Sequence, residues 1–190
     1  MRFLGIDTSG DHDISSPYVI GYAISDESSS IEKSNIGRAI SEARAILNKP
    51  NYVFHAYHDD KKVREVLLDS LIKHGIRGGV IIILNRKFVN SFFFPLSKLI
   101  DKCSYAVYDN PIFDHVLSKI VKKSTKVTSS KSLTPLYLPL QVADYFSHIW
   151  WEIFSHGLKD FNQFEKILSI TDELVVIGLK NSFTLEKHRN

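Results

Sequence analysis

The chain has 190 residues, 44% of them hydrophobic and 24% charged. That balance suits a soluble globular protein with enough apolar material for a real core, and no apolar run approaches the roughly 20 residues of a membrane span. A single cysteine, Cys103, excludes an internal disulfide or a Cys-based zinc site, and a net charge of +3 is too small to establish a nucleic-acid partner by itself.

The apolar run Arg2-Phe3-Leu4-Gly5-Ile6 predicts a first strand that ends at Asp7, followed by the turn-forming Thr8-Ser9-Gly10. Tyr18 to Ile24 predicts its hairpin partner, and Ile31 to Ser34 a short third strand. Asn35 is placed to cap a helix over 36–47, whose apolar face is Ile36, Ala39, Ile40, Ala43 and Leu47. Tyr52 to Ala56 is strand-like. Asp59 or Asp60 can cap the next helix, with Gly75 suited to its C′ position. The β-branched run Gly79 to Leu84 suits a central parallel strand buried on both faces.

Phe92 to Lys102 reads as a helix with Pro95 in its first turn. Ser104 to Tyr108 reads as a strand ending at Asp109, and Pro111 opens a helix to about Lys122. A short strand is expected near 125–128, and 129–138 reads as loop. Pro139 opens an amphipathic helix to about His156. A helix over 161–168 and a strand over 174–177 follow. Strands first, then helices alternating with strands, predict a mixed sheet covered by helices. The N-terminus has no basic region followed by an apolar stretch and cleavage site, so a cytoplasmic location is expected.

Three acids carry the chemical interest. Asp7 and Asp109 each end a strand, the edge at which open α/β sheets place their sites. Each also suits an ordinary turn or cap. Asp144 lies early in the helix from Pro139, among Val142, Ala143, Tyr145, Phe146, Ile149 and Trp150, and shares a face with Gln141. An acid amid so much apolar surface asks for a ligand or a buried partner. The chemistry that uses such acids is magnesium- or manganese-dependent phosphodiester hydrolysis. Magnesium takes hard oxygen ligands and keeps waters, and two ions can serve the attacking and leaving oxygens. The chain has no HExxH helix, GxSxG elbow, Walker loop or GxGxxG fingerprint. Lys119, Lys122, Lys123, Lys126 and Lys131 form a basic run that suits phosphate contacts or a solvated face.

Together these motifs resemble the domain of unknown function 3800 family, whose members look ribonuclease H-like. The residues that carry the resemblance are Asp7-Thr8-Ser9-Gly10, Phe54-His55-Ala56, Val63-Arg64-Glu65, the strand-end Asp109, Ser130-Lys131 and Leu140-Gln141-Val142-Ala143-Asp144. The match spans about residues 3–155. Two positions depart from the family pattern: Thr8 stands where the family has Glu, and Ser129 or Ser130 where an acid precedes Ser-Lys.

The resemblance implies an α/β fold with a ribonuclease H-like mixed sheet, three N-terminal antiparallel strands and covering helices. Residues 1–157 would form that domain, and 158–190 a C-terminal helix and strand packed on it. It further implies a nuclease with Asp7, Asp109 and Asp144 as catalytic metal ligands for Mg2+ or Mn2+. Gln141 would orient a water or phosphate, His55 would contact substrate or assist proton transfer, and Ser130 and Lys131 would touch substrate. Nucleic acid is the expected partner, without a membrane. Ile149, Trp150, Ile153 and Phe154 recur at helical spacing and should be buried, and Trp151 on the other flank leaves a homodimer contact open. The alternative is a catalytically decayed module, marked by Thr8, that binds nucleic acid or protein on the same fold.

Overall fold

The computed structural model describes residues 1–85, 87–88, 93–110, 126–129, 137–178 and 183–186. Strands β1 (Phe3–Ser9), β2 (Tyr18–Ile24), β3 (Arg77–Ile83), β4 (Tyr105–Tyr108), β5 (Lys126–Ser129), β6 (Thr171–Ile177) and β7 (Phe183–Glu186) form one sheet in the order β5-β4-β1-β2-β3-β6-β7. β2 pairs antiparallel with β1 on one side and β3 on the other, β4 and β5 extend the sheet parallel to β1, and β3, expected as a parallel strand, has a parallel neighbour only in β6. This is the expected mixed sheet.

The third antiparallel strand is not the predicted one. Ile31 to Ser34 is a turn, and β3 enters only after two helices, α1 (Asn35–Ile46) and α2 (Lys61–Lys73). The reason is local. Ser34 Oγ accepts from Gly37 N–H at 3.2 Å and so caps α1. The neighbouring Asn35 instead exchanges hydrogen bonds with Asp26, through Asp26 N–H to Asn35 Oδ1 (2.9 Å) and Asn35 N–H to Asp26 Oδ1 (2.8 Å). The cap is therefore Ser34 rather than Asn35. Tyr52 to Ala56 is also not a strand but an irregular segment. Asp60 caps α2 through Val63 N–H, and Gly75, at φ 63°, closes it.

The remaining helices are α3 (Phe93–Ile100), α4 (Leu138–His156) and α5 (Phe161–Ile170). The predicted helix from Pro111 lies outside the described residues, and β7 was not predicted from the sequence. Period-2 alternation sends β1 and β2 side chains into two different cores. On one face Leu4, Ile6, Ile20 and Ile81 pack with Leu96 and Ile100 of α3. On the other, Val19, Ala23, Val80 and Ile82 pack under α1, α2, α4 and α5. Ile149 and Trp150 of α4 are buried there, Ile153 is half-buried, and Phe154 stays exposed. Trp150 Nε1 donates to Thr171 Oγ1 at 3.1 Å, so its polar atom finds a partner within the chain. No helix among the described residues is long and apolar enough to cross a membrane.

Candidate active site

β1 and β4 run parallel with Ile6 opposite Tyr108, so the next residue of each chain, Asp7 and Asp109, leaves the same edge of the sheet. Asp144 reaches that edge because α4 lies unusually close to the strands. Gly5 and Gly21 make this possible. A β-carbon on Gly5 would sit 2.1 Å from the carbonyl oxygen of Pro139. One on Gly21, the cross-strand partner of Asp7, would sit 2.3 Å from Ser147 N and 2.6 Å from Ala143 O. Two strand glycines thus give α4 backbone-to-backbone contact with β1 and β2.

The consequence is electrostatic. Asp7 opens toward a cavity on one side and is enclosed by protein elsewhere. Its carboxyl pKa is raised well above the ordinary aspartate range: burial is the largest cause, followed by the charge of Asp144 and a hydrogen bond with it. The Thr8 backbone N–H opposes the shift, and the charge of Asp109 adds to it. Ser147 Oγ lies 3.2 Å from Asp7 Oδ2 and 3.1 Å from Ser9 Oγ. Asp144 Oδ2 accepts from Ala56 N–H at 2.6 Å and lies 3.7 Å from His55 Nδ1. Two carboxylates are therefore pressed together with a third acting on them, an arrangement that holds a proton or a cation.

These residues share a cavity of about 770 Å³, lined also by Thr8, Asp11, Asp13, Gln141, His148 and Trp151. Gln141 holds the irregular 52–56 segment, since its Oε1 accepts from Phe54 N–H at 2.9 Å. The hydroxyl of Thr8, next to Asp7, donates to Asp11 Oδ2 at 2.8 Å. Asn110 Nδ2 donates to the same oxygen at 2.9 Å. Asp11 was not singled out from the sequence. The signal was an acid within four residues of Asp7, on the turn joining β1 to β2. As site residues, Tyr57, on a turn, and His148 and Trp151 were missed as well, the last two because aromatic residues on a helix read as core. Asp7, Asp109, Asp144, Gln141 and His55 come together at one cavity. Ser130 and Lys131 lie outside the described residues.

Among the described residues, no three His, Cys, Asp or Glu side chains are gathered tightly enough to hold a metal ion by themselves. The donor chemistry still suits magnesium or manganese. Such an ion needs only one or two protein carboxylates when water and phosphate oxygens complete its shell, and among the described residues no Lys or Arg forms an ion pair with Asp7 or Asp144.

Solved structures with this architecture decide the fold class. Over 88% of this chain and 87% of the other, the structure matches the ribonuclease HII of the PCNA:RNase HII complex from Archaeoglobus fulgidus, with TM-score 0.54 and 14% identity. The fold is ribonuclease H-like. Ribonuclease H2 from Pyrococcus horikoshii OT3 matches with TM-score 0.54 at 15% identity, over 88% of this chain and 85% of that one. Bst-RNase HIII, solved in complex with Mn2+, matches with TM-score 0.50 at 12% identity, over 81% of this chain and 53% of that one. No family model matches the chain, and no curated protein matches it.

Proposed function

We propose that this protein is a metal-dependent nuclease of the domain of unknown function 3800 group, acting in the cytoplasm on nucleic-acid phosphodiesters. One observation carries the reading: Asp7 and Asp144, far apart in sequence, are forced together beside Asp109 at the edge of a ribonuclease H-like sheet. A carboxylate pair that repels itself gains most from a divalent cation. The neighbours lend support, as two are ribonucleases H and one of their relatives was solved with Mn2+.

Asp7 and Asp144 would hold Mg2+ or Mn2+, with Asp109 contributing negative charge or a third oxygen. The bound ion would polarise a phosphoryl oxygen and lower the pKa of a water. This chain's own residues would do the rest. Ala56 N–H fixes the Asp144 carboxylate, Ser147 orients Asp7, and His55, its Nδ1 3.7 Å from Asp144, would contact substrate in the same cavity. Ser130 and Lys131 remain proposed phosphate contacts. The binding-module alternative draws its support from Thr8, whose hydroxyl is committed to Asp11 where the family has a ligand.

The test is cleavage of labelled single- and double-stranded DNA and RNA with magnesium, manganese or chelator. Wild type should cleave at least one substrate only with metal. Asp144→Asn keeps shape and loses the charge, so it should lower the rate at least about 100-fold, the several kcal/mol a metal contributes. Metal-dependent cleavage that survives undiminished in Asp144→Asn refutes the assignment. Tight nucleic-acid binding without any cleavage favours the binding module.

A further inference from the structure

The wall of the cavity facing the acids is built from rings. Tyr57 is 68% exposed, although it is a large aromatic residue. Its ring meets His148 edge-on, with centroids 5.7 Å apart, and His58 at 5.0 Å. His148 in turn stacks on Trp151 at 5.5 Å and 28°. Trp151 is held in place: its Nε1 lies 3.4 Å from Ser16 Oγ, and the absent β-carbon of Gly10 leaves the space its ring fills. Buried His148 and half-buried Trp151 therefore form a fixed backing, and the exposed rings of Tyr57 and His55 line the same cavity.

A second observation comes from Gln141, which is 4% exposed and lines the same cavity. Its Oε1 is committed to Phe54 N–H, yet its Nε2 finds no partner among the described residues. A buried amide donor without an acceptor is costly, and a ligand acceptor would satisfy it. Rings beside carboxylates, a donor lacking its acceptor, and a cavity of about 770 Å³ match the size and chemistry of one nucleotide.

We infer that the cavity takes a single-stranded or locally unpaired nucleotide, its base stacked on Tyr57 and His55 and read in part by Gln141 Nε2, with its phosphate at the acids. This rests on the nuclease reading and names its substrate class. Ring faces reach bases only where these are unstacked, and each base stacked on an aromatic side chain strengthens binding with little regard for sequence. A paired duplex keeps its base faces covered and cannot use the wall.

The experiment measures affinity by fluorescence anisotropy for a labelled single strand and for a hairpin duplex of the same bases, with DNA and RNA run separately. Calcium is present to neutralise the carboxylates. The single strand should bind about tenfold tighter than the duplex or better. Tyr57→Ala should weaken single-strand binding by roughly tenfold, Tyr57→Phe should retain it, and duplex binding should not change. The exposure of Tyr57 makes the substitution harmless to folding, which circular dichroism checks. Equal affinity for the two forms, or unchanged single-strand affinity in Tyr57→Ala, overturns the inference. Single-strand preference without metal-dependent cleavage upholds it and sinks the nuclease reading. Cleavage confined to duplex does the reverse.

Discussion

Two carboxylates in this fold are treated in opposite ways. Asp59 is 6% exposed, and its oxygens are saturated with donors: Tyr52 Oη at 2.5 Å, His55 N–H at 3.0 Å, and the hydroxyl of Tyr145. Burial and the bond to Asp59 push the Tyr52 hydroxyl up to about 12. Asp7 faces an open cavity, but its neighbours there are Asp144 and Asp109. A buried acid supplied with every donor it needs is structure. One set beside two like charges at a cavity is the kind of group that functional sites use, and it is the one proposed above to take a cation.

The contrast can be broken most forcefully at Asp59. Asp59→Ala would strand two tyrosine hydroxyls and a backbone N–H, and should cost about 3 kcal/mol or more of unfolding free energy. Urea denaturation measures it. A loss below about 1 kcal/mol would mean that water replaces the carboxylate readily. Gly21→Ala comes next, because its methyl group would strike the α4 backbone. Overpacking of this kind costs about 1–3 kcal/mol. It should also move Asp144 away from Asp7, so activity falls further than stability alone explains. Unchanged activity in the folded variant would separate the glycine from the site.

The smallest effect is the pH dependence. Asp7 has a raised folded-state pKa, so the native state binds more protons than the unfolded one. The stabilisation from its proton is full below the unfolded aspartate pKa and is lost as pH rises through the raised value. Thermal melts without metal should therefore show stability falling across that window. Asp144→Asn removes the nearest like charge and should flatten the slope.

Much of this was readable in the sequence. The apolar runs of β1 and β2, the β-branched run of β3 and the helical period of the long α4 each mark an element that the fold keeps. Strand ends and a helix start marked Asp7, Asp109 and Asp144. What sequence could not supply was the closeness of α4 to the sheet, because Gly5 and Gly21 read as weak strand residues until a helix backbone fills their space. Asp59 and Asp60 are adjacent and chemically identical, yet one turns inward to two tyrosines while the other caps α2. Only tertiary context separates them. The strand expected at Ile31 to Ser34 gave way to a turn leading into the cap of α1, because Ser34 and the Asp26–Asn35 pair satisfy the backbone locally.

The most direct test of the site is a Mn2+ titration by calorimetry in two buffers of different ionisation enthalpy, near the pH at which Asp7 still carries its proton. Wild type should bind Mn2+ and release a proton to the buffer, because the cation takes the place the proton holds between Asp7 and Asp144. Asp7→Asn should lose both the binding and the release, and Asp59→Asn should keep them. Absence of Mn2+ binding by wild type, or binding without proton release that persists in Asp7→Asn, would contradict the account.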